Sequence, residues 1–208
     1  YLAKLRLAKL DSWEATGALE GEAVELCAIF ATIAIKVAGL WQAAGFAPAV
    51  ATGYGYDHGT WVPLMLLYPD ADVPVVQIAV QPQLGPAHHI ALGKALASLR
   101  DENILVIGSG SMTHNLHEFY SSDLPPDSDA LPWVAAFTDW VHERIEAGAT
   151  DDLVNYRTLA PHAADNHPTD EHLMPLFIAI GAGENNKGRR IHSSSRSGVI
   201  SMDTYTFG

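Results

Sequence analysis

The stretch Val73 to Ile107, VPVVQIAVQPQLGPAHHIALGKALASLRDENILVI, decides the reading of the fold. Val73 to Val80 is rich in β-branched residues and bounded by prolines, which predicts a buried strand. From about Pro86 to Arg100, Ile90, Leu92, Ala95, Leu96 and Leu99 recur at helical spacing, and Ile104 to Ile107 then reads as a second buried strand. Helix alternating with strand implies an α/β protein, with a central mixed or parallel sheet flanked by helices in a single layered domain over 1–208.

Working upstream, Leu26, Ile29, Phe30, Ile33, Val37, Leu40, Trp41 and Ala44 fall at helical spacing, and Gly45 supplies a C-terminal stop. A Gly/Tyr-rich loop, Thr52 to Gly59, leads into a short apolar segment from Trp61 to Tyr68. Downstream, Trp133 to Ala147 predicts a helix with Trp133, Phe137, Trp140, Val141 and Ile145 on one face. Asp123 to Asp129 reads as a loop, and Gly181 to Ser197 as an irregular Gly/Asn/Ser-rich stretch.

Composition removes several function classes. The 208 residues carry 24 acidic against 12 basic side chains, a formal net charge of −12. No basic footprint is available to neutralise phosphates, so nucleic acid is excluded as a partner. Cys27 is the only cysteine, which rules out a disulfide framework and a thiolate zinc cluster and fits a reducing, cytoplasmic setting. The longest apolar run, Leu26 to Phe46, is broken by Lys36 and Gln42 and is periodic, so it predicts a packed helix and no membrane span.

Ten histidines are present, and three lie in purposeful surroundings. His58 follows Asp57, which is placed to orient an imidazole, between Gly55 and Gly59; the plainer alternative is a turn with an exposed histidine. His114 ends Gly108-Ser-Gly-Ser-Met-Thr-His, a glycine-rich turn leaving the predicted strand, where ligands of α/β sheets gather. A helix-capping loop with an incidental histidine explains that segment equally well, and a phosphate loop lacks its Walker lysine. His172 stands in NHPTDEHLMPL, read as a helix start with Pro168 in the first turn and His172, Leu176 and Ala179 on one face. A histidine on an apolar face is more often a satisfied core residue than a ligand. His88 and His89 are read as solvated or capping residues at a helix start. Arg189, Arg190 and Arg196 suit a substrate carboxylate, with a solvated basic loop as the alternative.

Together, YGYDHGTWVPLMLLYP, VPVVQIAVQPQL, GSGSMTHNL, NHPTDEHLMPLFIAIGAG and the ending SMDTYTFG resemble, in order and separation, the class III extradiol ring-cleavage dioxygenases, in the branch of 4,5-DOPA dioxygenase. The resemblance covers Tyr54 to Gly208. It implies a non-haem Fe(II) enzyme that opens a catecholic, DOPA-like ring with O₂. By it, His114 matches the acid/base histidine, His58 a second active-site histidine near the substrate with Asp57 beside it, and His172 a metal ligand. Zinc suits the same donors in isolated protein. A small aromatic diol and O₂ are the implied partners, and a homo-oligomer is compatible with the family.

The sequence also departs from that pattern. The family's first two metal ligands lie in a Ser-His-Gly segment and a His-Trp-Glu segment; the chain has no Ser-His-Gly, and only Asp11-Ser12-Trp13-Glu14 approximates the second. One histidine does not make a facial Fe(II) site. The expectation is therefore a catalytic domain lacking its amino-terminal metal-ligand segment, with weak Fe(II) binding and slow turnover. Recruitment of His167 or His162 as a substitute ligand is a further option. Two alternatives of other kinds are a non-catalytic scaffold or binding subunit that has lost the metal, and a zinc hydrolase with Glu171 or Asp57 as base.

Overall fold

A computed structural model describes residues 4–7, 20–52, 55–183, 185 and 187–208. The chain divides into two compact units, Tyr1–Val80 and Gln81–Gly208.

In the first unit, β1 (Lys4–Leu7) is the middle strand of a three-stranded mixed sheet. It pairs in parallel with β2 (Ala49–Thr52) and antiparallel with β3 (Gln77–Ile78). The helix α1 (Glu20–Ala43) connects β1 to β2. Ala34, Val37 and Trp41 form its buried stripe at the predicted spacing. Gly45, at φ +86°, stops it, and the Phe46 N–H donates back to the Trp41 carbonyl at 2.8 Å. The apolar segment from Trp61 lies in a helix, α2 (His58–Leu67), which takes in the last two residues of the expected loop. Asp57 nucleates it as N-cap by accepting the Thr60 N–H at 3.1 Å.

The strand expected over Val73 to Val80 is reduced to Gln77 and Ile78. Pro74 has no N–H to give a ladder, and the Val75 carbonyl accepts the Tyr56 hydroxyl at 2.6 Å, so this backbone is spent elsewhere.

The second unit is mainly helical: α3 (Gly85–Ala95), α4 (Leu116–Ser121), α5 (Pro132–Ala147), α6 (Thr150–Val154), α7 (Tyr156–Leu159), α8 (Ala163–Asn166) and α9 (Met174–Ala182). Two antiparallel pairs complete it, β4 (Gly188–His192) with β7 (Thr204–Phe207), and β5 (Ser195–Arg196) with β6 (Ile200–Ser201). The stretch expected to be irregular over Gly181 to Ser197 thus contains β4 and β5. Val134, Phe137, Val141 and Ile145 of α5 are buried, while Trp133 and Trp140 are only half-buried beside that stripe.

Ile104 to Ile107 is not a buried strand. It pairs with no strand among the described residues, and Leu105 is 72% exposed and Ile107 49%. Burial alternates along it, so one face is covered where a core strand needs two. The mixed helix and strand content agrees with the expected class, but the described strands form three small sheets and no central parallel one.

The core of the second unit rests on a close helix contact. Ideal Cβ atoms at Gly93 of α3 and Gly181 of α9 would lie 2.1 Å from the Ile178 carbonyl oxygen and 2.2 Å from the Ile90 carbonyl oxygen. Only glycine lets two helix backbones approach so closely. This packing fixes α9, and with it the turn just ahead of α9 that carries His172.

Candidate functional site

His172 precedes α9 and does not lie on its face. The helix was expected to start near Pro168, but it begins at Met174 with Pro175 in the first turn. A proline without N–H is best tolerated there, so Pro175 favours this boundary and leaves His172 in the preceding turn.

The glycine-rich segment 108–115 is laid against that turn. Cβ atoms at Gly108 and Gly110 would stand 2.3 Å from the Pro175 oxygen and 2.2 Å from the His172 oxygen, so a residue with a side chain at either position forces the backbones apart. The contact is then closed by hydrogen bonds. Ser111 N–H donates to the His172 carbonyl at 2.9 Å, and His114 N–H to the Asn166 carbonyl at 2.8 Å. The buried Thr113 hydroxyl donates to the Val199 carbonyl at 2.8 Å and accepts the Ser201 N–H at 2.7 Å. Asn115 caps α4 by accepting the Glu118 N–H, and its amide donates to the Asp165 carbonyl at 2.7 Å.

The outcome is a pair of parallel imidazoles. The His114 and His172 rings stack with centroids 3.4 Å apart and an interplanar angle of 13°. Both are half-buried, and the Glu171 carboxylate lies 3.2 Å from His172 Nδ1. Burial pushes the Glu171 carboxyl up, but the Thr169 hydroxyl, its own N–H and the nearby His172 and His114 outweigh this and hold it below the usual range. Two imidazole rings and a carboxylate therefore share one small volume.

His58 is the first residue of α2 in the first unit and is exposed; Asp57 is that helix's cap, and its N–H donates to the Gln77 side chain at 2.9 Å. His167 is fully buried and gives Nε2 to the Met112 carbonyl at 2.8 Å, while His162 is exposed and pairs with Asp165 at 3.1 Å. Neither is therefore presented as a substitute ligand. His89, read as solvated or capping, is instead buried: its Nε2 accepts the Gln81 N–H at 3.1 Å and its Nδ1 donates to the Gly85 carbonyl at 2.7 Å. Arg190 is committed to Asp203 at 3.3 Å.

Sequence reasoning missed Thr113, Asn115 and Asn166 as the residues that hold the site. The only local signal was Asn115 just ahead of a helix; the other partners lie tens of residues away.

An imidazole from a glycine-rich turn set against a second imidazole and a carboxylate is an arrangement able to take up and return a proton. The comparisons agree in kind: residues 27–208 match the family described as the catalytic LigB subunit of aromatic ring-opening dioxygenase. The chain belongs to this family. It is 48% identical over 155 residues to the 4,5-DOPA dioxygenase extradiol of Beta vulgaris, covering 74% of this chain and 56% of that protein. It is 38% identical over 178 residues to the 4,5-DOPA dioxygenase extradiol of Mirabilis jalapa, covering 84% and 65%. A crystal structure of an uncharacterised Escherichia coli K12 protein superposes with a TM-score of 0.70 at 27% identity, covering 100% of this chain and 81% of that one. The chain thus spans between half and two thirds of the length of these two curated relatives.

Ring-opening dioxygenases of this kind use a bound metal held by three protein ligands. Among the described residues, no group of three His, Cys, Asp or Glu is placed to hold a metal ion. His172 with Glu171 and His114 is short of a facial set, and Asp11 to Glu14, the segment matched to a second ligand, lies outside the described residues. Among the described residues, no helix is long and apolar enough to cross a membrane.

Proposed function

We propose that this chain is the catalytic part of an extradiol dioxygenase that opens a catecholic, DOPA-like ring with O₂, both oxygen atoms entering the product. The observation that carries this reading is the stacked His114–His172 pair, formed by the two motif segments that define the family likeness. In the proposal His114 is the acid/base: its imidazole takes a proton from a catechol hydroxyl and returns it to an oxygen as the ring opens. His172 serves as one ligand of an Fe(II) ion, and zinc is accommodated by the same donor. His58 is assigned to the substrate, with Asp57 holding its position at the start of α2. The family match runs across both units, which supports taking 1–208 as one catalytic domain. The net charge of −12 and the single cysteine support a cytoplasmic enzyme with small-molecule partners.

The second reading, a scaffold of the same fold without metal, is favoured by one observation, the lack of a three-donor cluster among the described residues. Anaerobic loading with Fe(II), followed by L-DOPA and O₂, separates the two. Stoichiometric iron and a yellow ring-opened product support the enzyme. Neither bound metal nor oxygen uptake assigns the chain to the scaffold.

A further inference from the structure

We propose that His167 is a positioning residue for ring opening: its imidazole donates from Nε2 to the Met112 carbonyl and so fixes the turn that holds His114 against His172. The proposal rests on the reading of His114 as the acid/base.

The chemistry of the contact dictates its direction. A carbonyl oxygen only accepts, so His167 Nε2, 2.8 Å from Met112 O, carries the proton. In the neutral ring Nδ1 is then a bare lone pair, and it is buried with no hydrogen-bond partner among the described residues. The ring is wholly inaccessible and leans on Phe137, with centroids 5.6 Å apart. A buried polar atom without a partner is costly and calls for a reason. A leucine would fill the same space without that cost. What the imidazole adds is one donor, delivered from the residue next to Asn166 to the residue two before His114.

The location gives that donor its value. Segment 111–115 is pinned from four directions: Ser111 by the His172 carbonyl, Thr113 by Val199 and Ser201, His114 by the Asn166 carbonyl, and Asn115 by the Asp165 carbonyl. The Met112 carbonyl of this run accepts from His167 at 2.8 Å, a bond that reaches it from outside the segment. Without a donor there, the peptide between Met112 and Thr113 must turn to find another, and the His114 ring leaves the stacking distance of 3.4 Å. Correct placement to within about 0.5 Å is what a proton-transfer group requires.

The test compares His167→Leu, which keeps volume and removes the donor, with His167→Gln, which restores an N–H donor. The readout is the nuclear Overhauser effect between the His114 and His172 ring protons. It is expected to be strong in the native chain, reduced several-fold in His167→Leu and largely recovered in His167→Gln. A purely structural role lowers the melting temperature of both variants and leaves the ring contact of the folded protein unchanged, which would overturn the proposal. With substrate and metal saturating, kcat should fall at least tenfold in His167→Leu with KM little changed. Because the ring contact is read without turnover, an inactive native chain refutes the assigned activity and leaves this inference to stand or fall by itself. If His167→Leu does not fold, the ¹⁵N spectrum of the native chain decides: a proton on Nε2 with scalar coupling to the Met112 carbonyl supports the role, and a proton on Nδ1 refutes it.

Discussion

Substituting Gly110 by alanine tests the geometry on which the site depends. The added Cβ would lie 2.2 Å from the His172 carbonyl oxygen and 3.2 Å from Pro175 Cγ. Comfortable carbon contacts begin near ~3.5 Å, so the glycine turn and the His172 turn must part by roughly 1 Å. Overpacking of this kind costs about 1–3 kcal/mol. The same movement strains the Ser111 N–H bond to the His172 carbonyl, now 2.9 Å, whose loss adds about 1 kcal/mol. For a chain of this size each kcal/mol lowers Tm by about 2–4 °C, so Gly110→Ala should melt roughly 4–15 °C early by circular dichroism. Gly39→Ala is the control: nothing lies within 4 Å of its added methyl in α1, and alanine should stabilise that helix by about 0.5–1 kcal/mol. A Gly110→Ala protein that melts with the native one would show that the two turns are not in contact, and the site as described would be wrong.

Acid should weaken the fold through His167. Burial, only partly offset by the Met112 hydrogen bond, pulls its pKa from 6.5 down to about 4. The unfolded chain therefore binds the extra proton between pH 6.5 and 4, and stability falls by ~3 kcal/mol as pH drops through that window. Urea midpoints at several pH values should show this slope, and His167→Gln should lack its share of it. Gly93→Ala and Gly181→Ala should each cost more than 1 kcal/mol in thermal melts, because the methyl meets a helix backbone across the α3–α9 contact. Thr113→Val should cost about 1–3 kcal/mol by urea titration, since it strips partners from both the Val199 carbonyl and the Ser201 N–H.

Elements with a local cause were legible in the sequence. The stripe of α1 and its Gly45 stop, α5 and the first part of α3 follow from spacing, capping and glycine conformation, which act within a few residues; α3 ends at Ala95, short of the expected Arg100, and 97–102 is a 3-10 helix. Ile104 to Ile107 was misread because apolar content does not reveal whether a partner strand is present; with none described beside it, Leu105 and Ile107 remain exposed. The helix start near His172 turned on two prolines, Pro168 and Pro175, and only the second occupies a first turn.

The site was half legible for the same reason. Motif likeness marked His114 and His172 and the structure brings their rings together, whereas His58 is described in the first unit by itself. What no spacing could reveal is the scaffold beneath them. Thr113 reaches Val199 and Ser201, and His167 reaches back to Met112, so these roles exist only once the chain has folded. His167 illustrates the limit well: in the sequence it was weighed as a spare ligand, and in the fold its one proton is committed to a carbonyl.

The central claim is that the His114 imidazole moves the proton when the ring opens. Oxygen uptake with L-DOPA at saturating Fe(II), native chain against His114→Gln, tests it most directly. The account predicts uptake matched by ring-opened product in the native chain and a loss of at least ~100-fold in the variant at unchanged melting temperature. A folded, metal-loaded His114→Gln protein that consumes oxygen at the native rate would contradict it.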